Sequence, residues 1–525
     1  MGPNGAGGPA DNAHTLVVAA HELPISYDPD DFLPSHPAED SDIAIQLFDR
    51  LLSYEAGDGE SGRSQDLSRL SGELAESWET LDGGLRHLLR LRPLRSEHGH
   101  TLSAEDVVWS WRRGIDRRQV GRWVAFMGSV PRHWELGSEV RALDERTVEF
   151  TLEKPNQLFP HLLTMQVPPI LDATAAQAHA SDADPTGGDW LRDTPGGYGP
   201  YAVERRDERE LVLAARHDRG APPPAMERVV YRLLPGRDRV DALVAGEVDL
   251  IFEPTAEEQR RLERSAGPGG PIELFRARGN GHVALQMDAH RPPFDDLDVR
   301  RAVALAVPYE QILREVYGSA ARPWRGVVPD THNGYVESVE LGEDIEASRA
   351  ALARSGRSSL SAVLHCDAAA EDLVAVAERV ATSASRAGIE LEVQPLPTGE
   401  FKGRQMVFEM PLAIDRDGHR CNEIGYGLPH DFGDRRHGIT NWVQYANAEV
   451  NALIDRAEGE HDAEARRALF ERGQRLIAAD VPWAFIAQPY FCVAHRRGLA
   501  GLSWRSRLGG HPRYAELRWE GAPAG

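Results

Sequence analysis

Imidazoles, carboxylates and one thiol crowd the stretch from residue 419 to residue 437. His419, Cys421, His430, Asp431, Asp434 and His437 all fall within it. Imidazole and carboxylate donors suit transition metals, which makes His430, Asp434 and His437, with His419 and Cys421 near them, the metal-ligand candidates. The same residues stand beside Arg435 and Arg436, and loop acids next to arginines are ordinarily solvated or ion-paired. The plainer expectation is therefore no metal and no other cofactor. Tyr426, Trp442 and Tyr445 flank the cluster and can either wall an apolar pocket, stack on a planar ligand, or simply fill a core.

Other chemistry is thinly represented. No G-x-S-x-G elbow, Walker A loop or H-E-x-x-H pair occurs in the chain. The glycine runs at Gly5–Gly8 and Gly267–Gly270 lack the strand-to-helix setting of a phosphate loop. Three widely spaced cysteines, Cys366, Cys421 and Cys492, include no C-x-x-C pairing, so neither a cysteine zinc site nor a disulfide framework is indicated, although one bridge remains open.

The elements that must position these groups belong to a long, acidic chain. Its 525 residues exceed the ~250–300 residues at which one hydrophobic core stops growing, so several folding units are expected. With 41% hydrophobic and 27% charged residues the composition is that of a globular protein. A net charge of −23 repels phosphate backbones and anionic headgroups, which makes nucleic acid and bilayer surfaces poor partners. Leu16–Ala20 typifies the longest apolar runs, far short of the ~20 residues of a membrane span. The first ten residues carry neither a basic nor an apolar export region. Either a signal has been removed or the protein stays inside the cell.

Leu16–Ala20 suits a buried strand, followed by a turn at Tyr27-Asp28-Pro29-Asp30. Ile43, Leu47 and Leu51 predict a helix over 43–52. Asp82-Gly83 marks a hairpin inside Leu74–Leu85, and Ser103-Ala-Glu-Asp106 fits a capping box opening a helix through Val107 and Trp111. Alternation predicts a strand at Arg146–Glu153 and a hairpin joining Tyr201–Glu204 to Leu211–Leu213. Helices follow at Val299–Ala306, after Asp295 and Asp296, and at Tyr309–Val316, with Pro308 in its first turn. Ala362–Leu364, a helix near 371–387 and Ile389–Val393 form a βαβ unit. Two further helices are expected around Val450–Ala457 and Leu469–Ile477.

In this order, the segments resemble the family 5 solute-binding proteins of ABC importers, which include oligopeptide-, dipeptide- and nickel-binding proteins. Leu74-Ala-Glu-Ser-Trp-Glu79 with Asp82-Gly83, and Leu102-Ser-Ala-Glu-Asp-Val-Val-Trp-Ser-Trp111, resemble its LAESWE…DG…LTAEDVVFSW stretch. Pro195–Tyr201, Ala242–Asp249, Pro292–Ala302 and Tyr445–Ile454 resemble its GTGPY, ALxxGEID, PPFDDxxVRxA and YSNPEVDALI segments. The resemblance implies an α/β, two-lobed periplasmic-binding-protein-like fold of type II with a hinge between lobes and the extra subdomain of peptide-binding members. The implied division is a flexible leader at 1–14; a first lobe of 15–45, 195–285 and 496–525; an inserted subdomain at 46–194; and a second lobe at 286–495. It further implies a monomer that captures a peptide-like or other small polar ligand in an inter-lobe cleft by hinge closure and delivers it to an ABC permease outside the cytoplasm, with no covalent chemistry.

Two departures bear on the ligand. Peptide-binding relatives carry a G-W-x-A-D-Y segment whose aspartate pairs with the ligand's α-amino group. The corresponding stretch is Gly425–Asp434, with Pro429 at that aspartate's place and Asp431 two residues further on. A nickel-type pattern, G-x-P-Y-D-P, is nearer to Leu428-Pro-His-Asp431. In the first lobe, Glu22 stands before Tyr27-Asp28-Pro29 much as a cleft acid precedes LDP in the family, and a solvated loop acid is the bland alternative. The expected ligand-binding residues are Glu22, Tyr27, Tyr426, His430, Asp431 and Trp442. The alternative expectation is an intracellular protein of the same fold recruited as an enzyme or metabolite-binding protein, for which Asp431, His430 and Glu22 are the candidate acid/base groups.

Overall fold

A computed structural model describes residues 14–31, 38–57, 64–116, 139–165, 169–267, 269–340, 342–419, 421–434, 440–504 and 511–520. Residues 1–13 of the expected leader, and His437, lie outside the described residues. The chain divides into two compact units, one of residues 1–154, 159–277 and 491–525, the other of 155–158 and 278–490.

In the first unit, the strand Thr15–Ala20 runs parallel to Arg228–Leu233, with Thr15 opposite Arg228, and parallel to Leu250–Phe252. Antiparallel neighbours extend the sheet: Glu210–Ala215 beside Arg228–Leu233, then Tyr201–Arg206. Leu250–Phe252 also takes an antiparallel partner, with Leu250 opposite His495. Leu16, Val18, Leu213, Val229 and Tyr231 pack with Ile43, Leu47 and Phe48 of the helix side in one buried cluster. A separate four-stranded antiparallel sheet joins Ala75–Leu81, Arg86–Leu91, Thr147–Thr151 and Val140–Ala142. Its hairpin turns where Asp82 and Gly83 adopt left-handed backbone, φ 48° and 67°, as the Asp-Gly pair predicts. Trp111 lies edge-on to Phe150 at a centroid distance of 4.9 Å and anchors the helix Ala104–Asp116 beside that sheet. The capping box at its start forms: Ser103 N donates to Asp106 Oδ2 at 2.8 Å, and Asp106 N to Ser103 Oγ at 3.3 Å.

One helix differs from expectation. The helix read over 43–52 is Ala38–Leu47, and Leu52 instead opens a strand, Leu52–Gly57, with Leu52 opposite Gly72. Tertiary strand pairing overrides the apolar spacing there. The glycines of Pro195–Tyr201 explain why the helix ends in a fixed place. Gly199 N donates to Leu47 O at 2.9 Å. A Cβ on Gly197 would stand 2.1 Å from Leu47 O, and one on Gly199 2.3 Å from Leu47 C. Only glycine allows that backbone approach.

In the second unit, Leu360–Asp367 pairs in parallel with Ile389–Leu396 and Leu412–Gly418, with the helix Glu371–Ser385 between the first two in sequence. Gly281–Met287 runs antiparallel to Leu412–Gly418 on one edge and to the strand beginning at Trp483 on the other. This central strand is buried on both faces. Val283, Leu285 and Met287 meet the helix residues Val299, Val303, Val376 and Val380. Ala284, on the opposite face, joins Trp324, Ile424, Leu428, Trp483 and Phe485. Pro308 is the N-cap of the short helix Tyr309–Ile312 rather than part of its first turn. The helices Ala448–Gly459 and Ala463–Asp480 start at Asn447 and Asp462, whose side chains accept from backbone N–H groups of the first turn.

Buried charge in the first unit yields two predictions. Arg113 donates to Asp28 Oδ1 at 2.9 Å and Oδ2 at 2.5 Å and also to Asp30, with all three side chains at most 1% exposed. Removing the cation strands two carboxylates, so Arg113→Ala is expected to cost about 3–5 kcal/mol in urea unfolding, most of it recovered when Asp28→Asn, Asp30→Asn and Arg113→Met are combined. Burial pushes the Glu97 carboxyl up to about 8, with the Gly197 N–H and Arg216 only partly opposing it. The folded state then holds a proton that the unfolded chain releases near 4.5, so this group's contribution to stability falls as pH rises from about 4.5 to 8. Glu97→Gln is expected to flatten that decline in unfolding free energies measured across the window.

Candidate functional site

The chemistry-bearing stretch lies in the second unit. The strand Leu412–Gly418 delivers His419 at its end, and the helix Ile424–Phe432 carries Tyr426, His430 and Asp431. Sequence reading assigned no helix to that segment, which holds Pro429 inside it. Pro429 has no N–H to return to Gly425 O, which limits the helix, and it closes with Gly433 N donating to Pro429 O at 3.2 Å.

Asp431 is the centre of the arrangement and is 1% exposed. Its Oδ2 lies 2.8 Å from His419 Nε2 and its Oδ1 lies 2.6 Å from His430 Nδ1. Burial alone raises a carboxyl's pKa, but the two imidazoles outweigh it and hold Asp431 well below the usual carboxylate range. His419 Nδ1 in turn lies 2.7 Å from His332 Nε2. The His282 ring stands 5.3 Å from His419, centroid to centroid, on the strand face shared with Ala284. Burial lowers His282 to about 4, and it also lowers His332 and His430. Asn280 and Asn422 exchange amide hydrogen bonds at 2.7 Å each way, and Asn280 Nδ2 also donates to His419 O at 2.7 Å. These bonds fix the backbone on which His419 is mounted. The Tyr426 ring completes the wall, 5.8 Å from His419 and 5.1 Å from His430.

Of the residues singled out in the sequence, His430, Asp431, Tyr426 and His419 come together. Asp434 is exposed and donates its N–H to Asn451 Oδ1 at 3.2 Å, outside the cluster. Among the described residues, the group with metal-ligand proximity is His282, His419 and Asp431 rather than His430 with Asp434. Trp442 is half-buried. Cys366, Cys421 and Cys492 are buried and none is in a disulfide, and burial raises the Cys366 and Cys492 thiols to about 11 and 12. In the first unit, Glu22 is exposed just beyond the strand Thr15–Ala20, whereas Tyr27 is buried with its N–H donating to Arg192 O at 2.9 Å. His282 and His332 were missed. A histidine at an otherwise apolar, two-sided buried strand is the one local signal that pointed to His282; His332 sits in a loop with none.

Two α/β units built on mixed sheets define the class, that of two-lobed binding proteins of the periplasmic type. The family described as "Bacterial extracellular solute-binding proteins, family 5 Middle" matches residues 69–421, and the chain belongs to it. The peptide transport periplasmic protein SapA of Salmonella typhimurium is 25% identical over 88% of this chain and 84% of its own. Di/tripeptide-binding protein 2 of Pseudomonas aeruginosa is 24% identical over 93% of this chain and 92% of its own. Among solved structures, the DppA periplasmic binding protein of Helicobacter pylori in complex with the peptide STSA superposes with a TM-score of 0.81 at 21% identity, covering 96% of this chain and 98% of that one.

The close packing of the helix on the imidazoles is testable. A Cβ on Gly427 would stand 2.8 Å from His419 Cε1 and Nδ1 and 3.1 Å from His332 Cδ2. Gly427→Ala, which would gain about 1 kcal/mol in a free helix, is expected to lose about 1–3 kcal/mol here by displacing His419, read as a lower urea midpoint.

Proposed function

We propose that the protein is an extracytoplasmic receptor that captures a peptide-like or other small polar solute and delivers it to an ABC permease, acting as a monomer. The observation that carries this reading is the family match across residues 69–421, continued by relatives that align along nearly the whole chain and whose names specify peptides. Nothing in the site favours recruitment for catalysis. The Asp431 carboxylate and the His419, His430 and His332 imidazoles are engaged with one another in a buried cluster.

Two of the expected ligand-binding residues keep surface with which to meet a solute, Trp442 from the second unit and Glu22 from the first. Tyr27, Tyr426, His430 and Asp431 are buried. We also assign residues 46–194 to an inserted subdomain. Their four-stranded sheet, separate from the sheet of Thr15–Ala20, supports that division.

A panel of di-, tri- and tetrapeptides and small polar solutes, screened by thermal unfolding, tests the receptor reading. A true ligand at a hundred times its Kd is expected to stabilise the fold by about 2.7 kcal/mol and to be recovered chemically unchanged. Trp442→Ala is expected to weaken that ligand by about tenfold or more without lowering the ligand-free midpoint. Conversion of the stabilising compound, or a panel in which nothing stabilises the protein, overturns the proposal. Fractionation of the native host is expected to place the protein outside the cytoplasm.

A further inference from the structure

We propose that His282, His419 and Asp431 form a site for one divalent first-row transition ion, with zinc the reference case, and that His332 and His430 are the outer residues that hold two of its ligands in place. One donor atom from each of the three lies within 4.8 Å of the others. All three side chains are at most 1% exposed. Donors sharing a single zinc ion at bonds of about 2.1 Å stand roughly 3.4 Å apart in a tetrahedral shell, so loading asks the more distant donors to close in and His419 Nε2 and Asp431 Oδ2, now 2.8 Å apart, to open by roughly 0.6 Å.

His282 supplies the second, independent observation. Neither of its ring nitrogens has a partner at full hydrogen-bonding geometry, the Asn280 backbone making only a weaker electrostatic contact, although the ring is buried and faces His419. Buried polar atoms are nearly always matched, and an imidazole with both nitrogens unmatched next to another imidazole and a carboxylate is a donor without an acceptor to serve. A metal ion answers that need. Packing alone accounts for the ring's position against Trp324 and Trp483, at 4.5 and 5.8 Å, but not for its choice over phenylalanine.

The outer residues have the pattern that metal sites use to fix their ligands. With the ion on His419 Nε2, the Nδ1–H of that ring donates to His332 Nε2, 2.7 Å away. With the ion on Asp431 Oδ2, the other oxygen accepts from His430 Nδ1–H at 2.6 Å. Loading therefore needs His419 as its Nδ1–H tautomer and replaces the hydrogen bond between His419 Nε2 and Asp431 with two coordinate bonds. Two nitrogens and one carboxylate, with no thiolate, select zinc, nickel, cobalt, iron(II) or copper(II) over calcium, magnesium or copper(I). The ion would be resident in the second unit, a role separate from the capture of peptide-like solutes.

The full chain, stripped with a chelator and dialysed against zinc or cobalt, provides the test. Elemental analysis is expected to find one ion per chain, cobalt to quench the fluorescence of nearby Trp324 and Trp483, and zinc to raise the unfolding midpoint. His282→Phe keeps an aromatic ring between the tryptophans and is expected to lower metal affinity about a hundredfold or more. His332→Ala, which removes only an outer contact, is expected to lower it about 10- to 100-fold. X-ray absorption on the zinc-loaded wild-type chain decides the matter even where a variant fails to fold, with two imidazole nitrogens and a carboxylate oxygen expected and no sulfur. The absence of a stoichiometric ion at millimolar zinc, an all-oxygen or sulfur-containing shell, or unchanged affinity in a folded His282→Phe protein overturns the proposal.

Discussion

A carboxylate taken out of water must be hydrogen-bonded or paired, or else given up as a charge, and this acidic chain buries several. Several find their partners on another segment of the chain. Asp28 and Asp30 close on Arg113, Asp49 on Arg219 and Arg513, Asp42 on the hydroxyls of Tyr231 and Tyr514, and Asp415 on Lys402 and Gln405. Asp431 is the variant of this rule that uses imidazoles in place of a permanent cation. Such pairs contribute little net stability against an apolar replacement, but they penalise every misassembled alternative in which one partner is left alone. They act as registry pins: the loop after the first strand can occupy only the position that brings Asp28 to the helix Ala104–Asp116, and the helix Ile424–Phe432 only the one that brings Asp431 to the end of the strand Leu412–Gly418.

The pins also explain where glycine is indispensable. Gly427 admits the His419 and His332 rings against the helix backbone, and Gly197 and Gly199 admit the chain against the last turn of Ala38–Leu47. In both cases the glycine is demanded by a neighbour's bulk rather than by its own φ angle. A family-like motif such as Pro195–Tyr201 therefore marks a packing contact, and it can persist while the ligand changes.

Local signals made much of the fold legible. Asp82-Gly83, the Ser103–Asp106 box and the cap at Asp296 each rest on interactions within a few residues and form where expected, as do the two strands and helix of the βαβ unit around Glu371–Ser385. The end of the first helix was misread because Leu52 answers to a strand partner at Gly72, a contact that spacing cannot contain. The site was half legible for the same reason. His430 and Asp431 adjoin in sequence and were singled out, whereas His282 and His332 reach the cluster from a strand and a loop far upstream. Composition offers no trace of such a meeting; only the two-sided burial of Gly281–Met287 hints that a polar residue there must have a purpose.

Two facts about the helix Ile424–Phe432 bear together on ligand choice. The resemblance to peptide receptors would put an ammonium-binding aspartate where Pro429 stands, and Asp431, the next acid along, has given both oxygens to histidines. A ligand ammonium could recruit Asp431 only by displacing an imidazole, and it would have to do so at a side chain that is 1% exposed. The exchange replaces one hydrogen bond with another and adds the desolvation of the incoming cation, so it gains nothing over leaving the amine in water. Selection for the amine end of a peptide, if this receptor exerts it, must therefore come from residues other than this helix. What the helix does in this fold is close the histidine cluster, through Asp431 and His430.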